Sequence, residues 1–290
     1  MKKIRIVSPA KHIDQLSVDF TLELLRLNGF NVEIGTYALG QHHYFSGSLE
    51  ERLSDFQYAL DDPTVDIILC ARGGYGSVQL IDKLDFSKFQ KNPKFIVGYS
   101  DITVFHCHVS TKLNSSTVHG TAPLNFSKNT NEAIQSLLNV FNGIKNSYKI
   151  AAHSNNILGT ITAPVIGGNL SILYSLLGTN SDADYRGKIL FIEEIGEAIY
   201  AIDRMFYALK KAGKLNQIKG VIVGGLTNIK DSEIPYGKTV QEVIKSHIEP
   251  LSIPLCFNFP AGHIADNRAI IMGRNTILEI RENKTIFIQS

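Results

Sequence analysis

The stretch VDIILCARGGYGS (65–77) decides the fold, because an apolar run is followed directly by a glycine-rich loop. The run VDIILC (65–70) is typical of a strand that is buried on both faces of a sheet. A second apolar run, KFIVG (94–98), is followed by YSDIT and then by a segment with the length of a helix. Strands that alternate with helices in this way predict an α/β fold with a parallel sheet covered by helices on both faces.

The same alternation continues towards the N-terminus. IRIVS (4–8) is a short β-branched run that predicts a strand, and VDFTLELLRLNG (18–29) has the apolar spacing of a helix that ends at a glycine. Ser48 and Glu51 have the S-x-x-E spacing of a capping box and predict the start of the next helix. The first half of the chain is therefore predicted to be a regular βα repeat.

The second half of the chain has a different pattern of predicted helices and strands. A polar segment rich in Asn and Ser (127–156), built around one amphipathic helix, is the candidate crossing between two domains. After it, helices and strands alternate again, and the tail (268–290) predicts antiparallel strands joined by turns at GRN and ENK. We expect an N-terminal α/β domain at 1–145 and a smaller C-terminal mixed β/α domain at 157–290.

Composition excludes several classes of function. The 290 residues include 29 Lys and Arg against 27 Asp and Glu, and a net charge of +2 favours neither nucleic acid nor a membrane surface as a partner. The three cysteines are far apart and no metal-binding spacing of His or Cys is present, so we expect no disulfide framework, no metal and no cofactor. No long apolar segment follows the N-terminus, and a cytoplasmic location is expected.

Ser100 is the candidate nucleophile. It lies where a predicted buried strand ends and a helix begins, and Gly98 removes a side chain where the backbone must turn sharply. A serine on such a turn exposes its hydroxyl, and the amide of Asp101 can stabilise an oxyanion. The sequence departs from G-x-S-x-G because Ile102 stands at the last glycine position. A plain helix-capping role for Ser100 stays open as an alternative.

The glycine loop ARGGYGS is the candidate binding loop. Glycines let a backbone approach a ligand closely, and successive amides can form an anion-binding nest. Gly73, Gly74 or Gly76 could supply a second oxyanion donor, and Arg72 could help to bind a substrate carboxylate; the alternative is an ordinary tight turn. Because both the loop and Ser100 follow parallel strands, they should lie at the same carboxyl edge of the sheet.

The acid and base candidates lie in the second half. Glu193 and Glu194 end an apolar strand, where a carboxylate can be held in place to orient a histidine. His263 follows another predicted strand in a loop with proline and glycine, and histidine is the natural base near neutral pH. His119, in VHG, is the strongest competitor. For each of these residues a purely structural role is the alternative.

Taken together, these segments resemble the LD-carboxypeptidase family of serine peptidases, the muramoyltetrapeptide carboxypeptidases. The matching stretches occur in the family's order from residue 71 to 268, and they are ARGGYGS, GYSD, VHG, GGNL, LFIEEIGEAIYAIDR and GHIADNR. Each is modest alone, and the ordered set is specific. VHGTAP departs from the family's pattern, in which we expect a proline soon after HG, and this affects the lining of the substrate pocket and not the triad.

The resemblance implies a Ser-Glu-His triad in which Ser100 is the nucleophile, Glu193 orients the base and His263 is the base. It implies an N-terminal domain like class I glutamine amidotransferases, a smaller C-terminal mixed domain, and a site at their junction. The implied reaction removes the terminal D-alanine from a muropeptide tetrapeptide that contains L-lysine or meso-diaminopimelate, in peptidoglycan recycling. The resemblance further implies a homodimer.

Three other functions stay open from the sequence. A related hydrolase of the same fold could cleave an acyl-sulfamoyl aminonucleotide, as microcin-C self-immunity enzymes do. A non-catalytic module could use the glycine loop to bind a carboxylate or phosphate. An ordinary esterase would share the Ser–acid–His order along the chain.

Overall fold

The computed structural model describes residues 1–289 and contains strands in two sheets with helices packed around them. The strands, numbered in chain order, are β1 (Lys3–Val7), β2 (Asn31–Ile34), β3 (Ile67–Cys70), β4 (Phe95–Gly98), β5 (Thr117–His119), β6 (Asn146–Ala151), β7 (Gly159–Asn169), β8 (Ile189–Ile195), β9 (Gly220–Thr227), β10 (Leu255–Cys256), β11 (Ile270–Met272), β12 (Asn275–Ile280) and β13 (Lys284–Gln289). The helices are α1 (Gln15–Leu27), α2 (Leu49–Asp61), α3 (Ser77–Leu80), α4 (Ser87–Lys91), α5 (Thr103–Lys112), α6 (Asn131–Phe141), α7 (Leu170–Ser175), α8 (Ile199–Lys211) and α9 (Val240–Ile248).

The first sheet has the strand order β11-β5-β4-β3-β1-β2. Strands β1 to β5 pair in parallel, which confirms the predicted α/β fold class. All four residues of β3 are buried, and this explains the continuous apolar run that marks it in the sequence. The last strand, β11, comes from near the end of the chain and pairs antiparallel with β5, with Ile270 opposite His119.

The second sheet has the order β10-β9-β8-β7-β12-β13-β6 and mixes both kinds of pairing. Strands β7 to β10 are parallel, whereas β12, β13 and β6 run antiparallel to their neighbours. The long strand β7 belongs to both parts, because its first half pairs with β12 and its second half with β8. A mixed C-terminal unit was predicted, and the mixed sheet confirms that part of the fold class.

Helix α5 lies between the two sheets and is buried on nearly all sides. Its residues pack against Ile96 of the first sheet and Ile166 of the second within one hydrophobic core. Its start is held by Thr103, whose hydroxyl accepts a hydrogen bond from the Asn169 amide at 2.9 Å. Gly168 permits this contact, since a Cβ there would lie 2.3 Å from the Thr103 hydroxyl oxygen. The two sheets are therefore joined directly beside the Ser100 turn.

Two strands lie where no strand was predicted. The polar segment 127–156 contains α6 as expected, but it also contains β6, which pairs with β13 at the edge of the second sheet. Residues 159–166 of β7 were likewise not predicted as a strand. The domain boundaries at 145 and 157 stay a prediction, and β11 shows that the later part of the chain also contributes to the first sheet. Within residues 1–289 no helix is long and apolar enough to span a bilayer.

Candidate active site

Ser100 lies on a sharp turn between β4 and α5. Its φ angle is +63°, in the left-handed region that side chains other than glycine rarely adopt, and a 3₁₀ turn begins at the same residue. Gly98 makes the turn possible, since a Cβ there would lie 2.8 Å from Ile102 Cγ1. Strain at one half-buried serine, held by a rigid strand and a buried helix, is typical of a functional nucleophile.

This strained conformation gives a testable effect on stability. We expect the Ser100→Gly protein to be more stable than the Ser100→Ala protein by about 0.5–1 kcal/mol, because glycine tolerates a positive φ but loses more chain entropy on folding. Urea denaturation of the two variants measures the difference. If alanine proved equal to glycine or better, the turn would not be strained in the folded protein.

The glycine loop lies against the Ser100 turn, as predicted for two loops at one edge of a parallel sheet. A Cβ built on Gly73 would lie 2.9 Å from Ser100 Cβ, whereas one on Gly74 would meet Lys11 and Tyr44. Of the two glycines, Gly73 is therefore the one next to the serine. One guanidinium nitrogen of Arg72 donates to the His12 carbonyl at 3.1 Å, which ties the loop to the segment after β1.

The side chain of Asp101 has a role that the sequence did not reveal. Its carboxylate is almost completely buried and accepts a hydrogen bond from the Ser77 amide at 2.9 Å, so it joins the serine turn to the end of the glycine loop. Burial raises the pKa of Asp101, and the hydrogen bonds from Ser77 oppose this shift. The sequence predicts a role only for its backbone amide, because a buried contact between two loops leaves no pattern in the sequence.

Glu193 and His263 form a close pair. Glu193 Oε2 lies 2.6 Å from His263 Nδ1, and the Glu193 side chain is fully buried while that of His263 is 16% exposed. Gly262 allows this approach, since a Cβ at that residue would lie 2.6 Å from Glu193 Cβ. The histidine loop is held on both sides, by the Thr227 hydroxyl donating to the His263 carbonyl at 2.9 Å and by the Gly262 amide donating to Asn267 at 2.7 Å.

The neighbouring carboxylates Glu194 and Glu197 face elsewhere. Glu194 accepts hydrogen bonds from the Ser171 amide and hydroxyl and from the Asn169 side chain, and burial raises its pKa. The pairing of β8 with β9 shifts register between Ile192 and Glu194, so consecutive residues of the bulge can serve different partners. Glu194 therefore fastens the start of α7, and Glu193 alone of the three contacts His263.

His119, the competing base, lies inside the protein. Its ring is fully buried and packs edge-on against Phe191 at 4.8 Å and Tyr99 at 5.9 Å. Burial, followed by the nearby His106 and His263, lowers the pKa of His119 well below its ordinary value. A neutral, enclosed imidazole cannot exchange protons with a substrate, so His119 belongs to the floor of the site.

Tyr99 links the two halves of the site. It directly precedes Ser100, its ring contacts the ring of His263 with centroids 4.9 Å apart, and its hydroxyl donates to Asn125 at 2.7 Å. Tyr99 thus places the residue next to Ser100 against the imidazole of His263, and within residues 1–289 no direct hydrogen bond joins Ser100 to His263. Catalytic hydrogen bonds are often long before a substrate binds.

The groups around His263 shift its pKa, and this predicts how activity depends on pH. Burial by itself would lower the pKa of His263, but the Glu193 hydrogen bond and the charges of Glu193 and Glu194 outweigh it and raise the pKa above the ordinary 6.5. A general base must be neutral, so activity should be lost as the pH falls through this raised pKa. We expect the acidic limb of kcat/KM to have its midpoint above 6.5. A pH–rate profile with a midpoint well below that value would contradict this assignment.

A parallel sheet with a strained serine at its carboxyl edge, together with a carboxylate–histidine pair that contacts the preceding Tyr99, is typical of the class of serine hydrolases built on an α/β scaffold. Within that class, residues 4–120 match the LD-carboxypeptidase N-terminal domain and residues 162–278 match the LD-carboxypeptidase C-terminal domain. The chain belongs to the LD-carboxypeptidase family, as the sequence motifs had indicated.

Similar proteins cover the whole chain. It is 31% identical to a probable murein peptide carboxypeptidase of Bacillus subtilis, over 99% of this chain and 91% of the relative. It is 28% identical to the murein tetrapeptide carboxypeptidase of Pseudomonas aeruginosa, over 96% of this chain and 93% of the relative. Both alignments run across the two matched family domains, so the likeness extends beyond single motifs.

Solved structures share the fold. The muramoyltetrapeptide carboxypeptidase from Oxalobacter formigenes superposes with a TM-score of 0.91 at 26% identity, covering 100% of this chain and 99% of that one. An MccF-like protein from Bacillus anthracis superposes with a TM-score of 0.86 at 25% identity, covering 99% and 96%. The two-part architecture is thus common to both kinds of neighbour.

Proposed function

We propose that this protein is a serine carboxypeptidase that removes the terminal D-alanine from the L,D-bond of muropeptide tetrapeptides. The observation that carries the proposal is the 2.6 Å pair of Glu193 and His263, in which His263 contacts Tyr99, the residue that precedes the strained Ser100. The names of the Pseudomonas and Oxalobacter relatives support the substrate class.

The proposed mechanism begins with His263 as the base. Its Nε2 accepts the proton from Ser100 as the hydroxyl oxygen attacks the carbonyl carbon of the scissile amide. Glu193 keeps the Nδ1 proton in place and stabilises the imidazolium that forms. The positive charge appears next to a fully buried carboxylate, where a Coulomb attraction is stronger than in water.

The oxyanion is proposed to bind two backbone amides. The amide of Asp101 opens the helical turn behind Ser100, and Gly73 is the loop glycine that lies against the serine. Donors placed where negative charge develops stabilise the transition state more than the ground state, and each contributes about 10²–10³ in turnover. Arg72 has one nitrogen committed to the His12 carbonyl, so its proposed contact with a substrate carboxylate must use its remaining nitrogens.

The second half of the reaction returns the enzyme to its starting state. The imidazolium of His263 gives its proton to the departing nitrogen, the C–N bond breaks and D-alanine leaves. Water then attacks the acyl-enzyme, with His263 accepting its proton, and Ser100 recovers its own proton as the shortened peptide is released. We further propose the homodimer that the family resemblance implies, and the cytoplasmic location expected from the N-terminal sequence.

Digestion of a defined tetrapeptide, whose last bond joins an L-centre to D-alanine, tests the proposal. Mass spectrometry should show the loss of one alanine residue and the release of free D-alanine. A matched peptide that ends in L-alanine is the control and should remain intact. Cleavage at another bond, or no cleavage of the D-alanine peptide, would contradict the proposed activity.

A second candidate is a hydrolase of acyl-sulfamoyl nucleotides. The close superposition with the MccF-like protein from Bacillus anthracis favours it, since that neighbour shares nearly the whole architecture. Both reactions attack a carbonyl attached to nitrogen and can use the same three side chains. Assaying an aminoacyl sulfamoyl adenosine beside the tetrapeptide separates them, and we expect the tetrapeptide to have the higher kcat/KM.

A further inference from the structure

A cavity of about 290 Å³ opens beside His263. Ser100 and the glycine loop are not part of its wall. Its main lining side chains combine aromatic, amide, apolar and cationic groups, and they are Tyr99, Asn125, Lys128, Asn129, Ile195 and His263.

The position of this cavity assigns it to one side of the scissile bond. In the proposed mechanism His263 protonates the nitrogen of the departing residue, so that residue must lie on the histidine side. The acyl part of the substrate stays on Ser100, near the glycine loop. A cavity lined by His263 and not by Ser100 therefore suits the leaving residue and its free C-terminal carboxylate.

Lys128 gives this cavity a charge. It is the single lysine or arginine of the wall, it is exposed, and no aspartate or glutamate lines the cavity with it. Within residues 1–289 its ammonium group makes no hydrogen bond or ion pair, although its charge helps to lower the pKa of Asp14. An unpaired cation at the edge of a cavity can bind an anion without first breaking another bond.

The side-chain amides of Asn125 and Asn129 in the cavity wall also favour a carboxylate ligand. Asn125 accepts the Tyr99 hydroxyl with its side-chain oxygen at 2.7 Å, which leaves its NH₂ group as a donor. The side-chain NH₂ group of Asn129 donates a hydrogen bond to the Thr121 hydroxyl at 3.1 Å. The backbone N–H of Asn129 donates to the Asn125 carbonyl at 2.9 Å, which fixes the loop. A wall that offers a cation and an amide donor, and no carboxylate, is complementary to a carboxylate.

We propose that Lys128 binds the terminal carboxylate of the departing D-residue and makes the protein select a free C-terminus. This inference rests on the proposed carboxypeptidase function. It assigns the selection to Lys128 and not to Arg72, which lies outside the cavity wall and is tied to the His12 carbonyl. A second substrate carboxylate, on a diaminopimelate side chain, belongs to the acyl part and should not contact Lys128.

The test combines two proteins with two substrates. The Lys128→Gln protein and the native protein are assayed on the D-alanine tetrapeptide and on the same peptide with a C-terminal amide. We expect Lys128→Gln to lower kcat/KM for the acid about 10- to 100-fold and for the amide less than about 2-fold, because only the acid loses a charge-assisted hydrogen bond. Lys128→Arg should retain most of the preference for the acid. Lys149→Gln, on the exposed face of β6, controls for net charge and should leave both rates unchanged.

The outcomes distinguish this inference from the proposed function. If the native protein cleaves the acid and Lys128→Gln slows acid and amide equally, the inference is wrong while the carboxypeptidase assignment stands. If Arg72→Gln removes the preference and Lys128→Gln does not, the carboxylate belongs to Arg72. A loss that appears only with a diaminopimelate peptide, and not with its L-lysine counterpart, would place Lys128 on the acyl side. If the native protein cleaves neither peptide, the proposed function itself fails.

Discussion

The Ser100→Ala protein should lose at least about 10⁴-fold in kcat on the D-alanine tetrapeptide, because alanine has no atom that can form the acyl-enzyme. Within residues 1–289 the Ser100 hydroxyl makes no hydrogen bond, so its removal should not weaken the folded structure. The substrate should still bind with a dissociation constant close to that of the native protein. Single-turnover assays and isothermal titration with the intact tetrapeptide measure the two quantities.

A matched control makes this result specific. Ser147→Ala removes an exposed hydroxyl from β6, in the edge strand of the other sheet, and should leave kcat unchanged. Turnover by Ser100→Ala within about 10-fold of the native rate would show that another group attacks the substrate, since a residual rate of that size exceeds what binding and oxyanion donors supply alone.

The second large effect is expected at Glu193. Glutamine has the same shape, so Glu193→Gln should keep the packing against Gly262. It removes the negative charge that stabilises the imidazolium, and its amide can hold the ring in the wrong tautomer. We expect kcat to fall about 10³–10⁴-fold, and the acidic limb of the pH profile to move to lower pH as the pKa of His263 loses the charge that raises it.

The control for this variant is Glu282→Gln, at an exposed turn before β13, which changes the net charge equally and should have no effect. Steady-state kinetics of both proteins over a range of pH give kcat and the midpoint of the acidic limb together. A fall of less than about 10-fold, or an acidic limb that does not move, would mean that Glu193 does not act on His263 during turnover.

The sequence predicted the local features of this fold well. The Ser48–Glu51 capping box is confirmed, since the Glu51 amide donates to the Ser48 hydroxyl at 3.2 Å and the Ser48 amide to the Glu51 carboxylate at 2.8 Å. The parallel order of β1 to β5 is also confirmed. Both depend on residues close together in the chain, where apolar periodicity and capping chemistry leave a direct pattern.

Long-range pairings were harder to predict. Strand β11 crosses to the first sheet because β5 leaves an open edge there, and nothing in IIM shows which edge it will join. Strand β6 has the alternating burial of a strand, yet its polar residues predict a crossing between domains. In both cases the partner strand, not the strand's own sequence, determines the structure.

The candidate site likewise depends on long-range contacts that the local sequence does not predict. Three glutamates lie within five residues at the end of β8 and just after it, and their local sequence does not distinguish them. The register shift after Ile192 and the approach of Gly262 select Glu193 as the partner of His263. The buried link from Asp101 to Ser77 was likewise invisible, because it depends on two loops meeting.

A serine-reactive phosphonate tests most directly whether the hydroxyl, the imidazole and the carboxylate act as one unit. Peptide mapping after labelling should find a single adduct on Ser100, formed fast in the native protein and at least about 10²-fold more slowly in the His263→Gln protein. A protein that takes no label, or takes it at Ser100 equally fast without the imidazole, would contradict the account and favour a binding module with no catalytic serine.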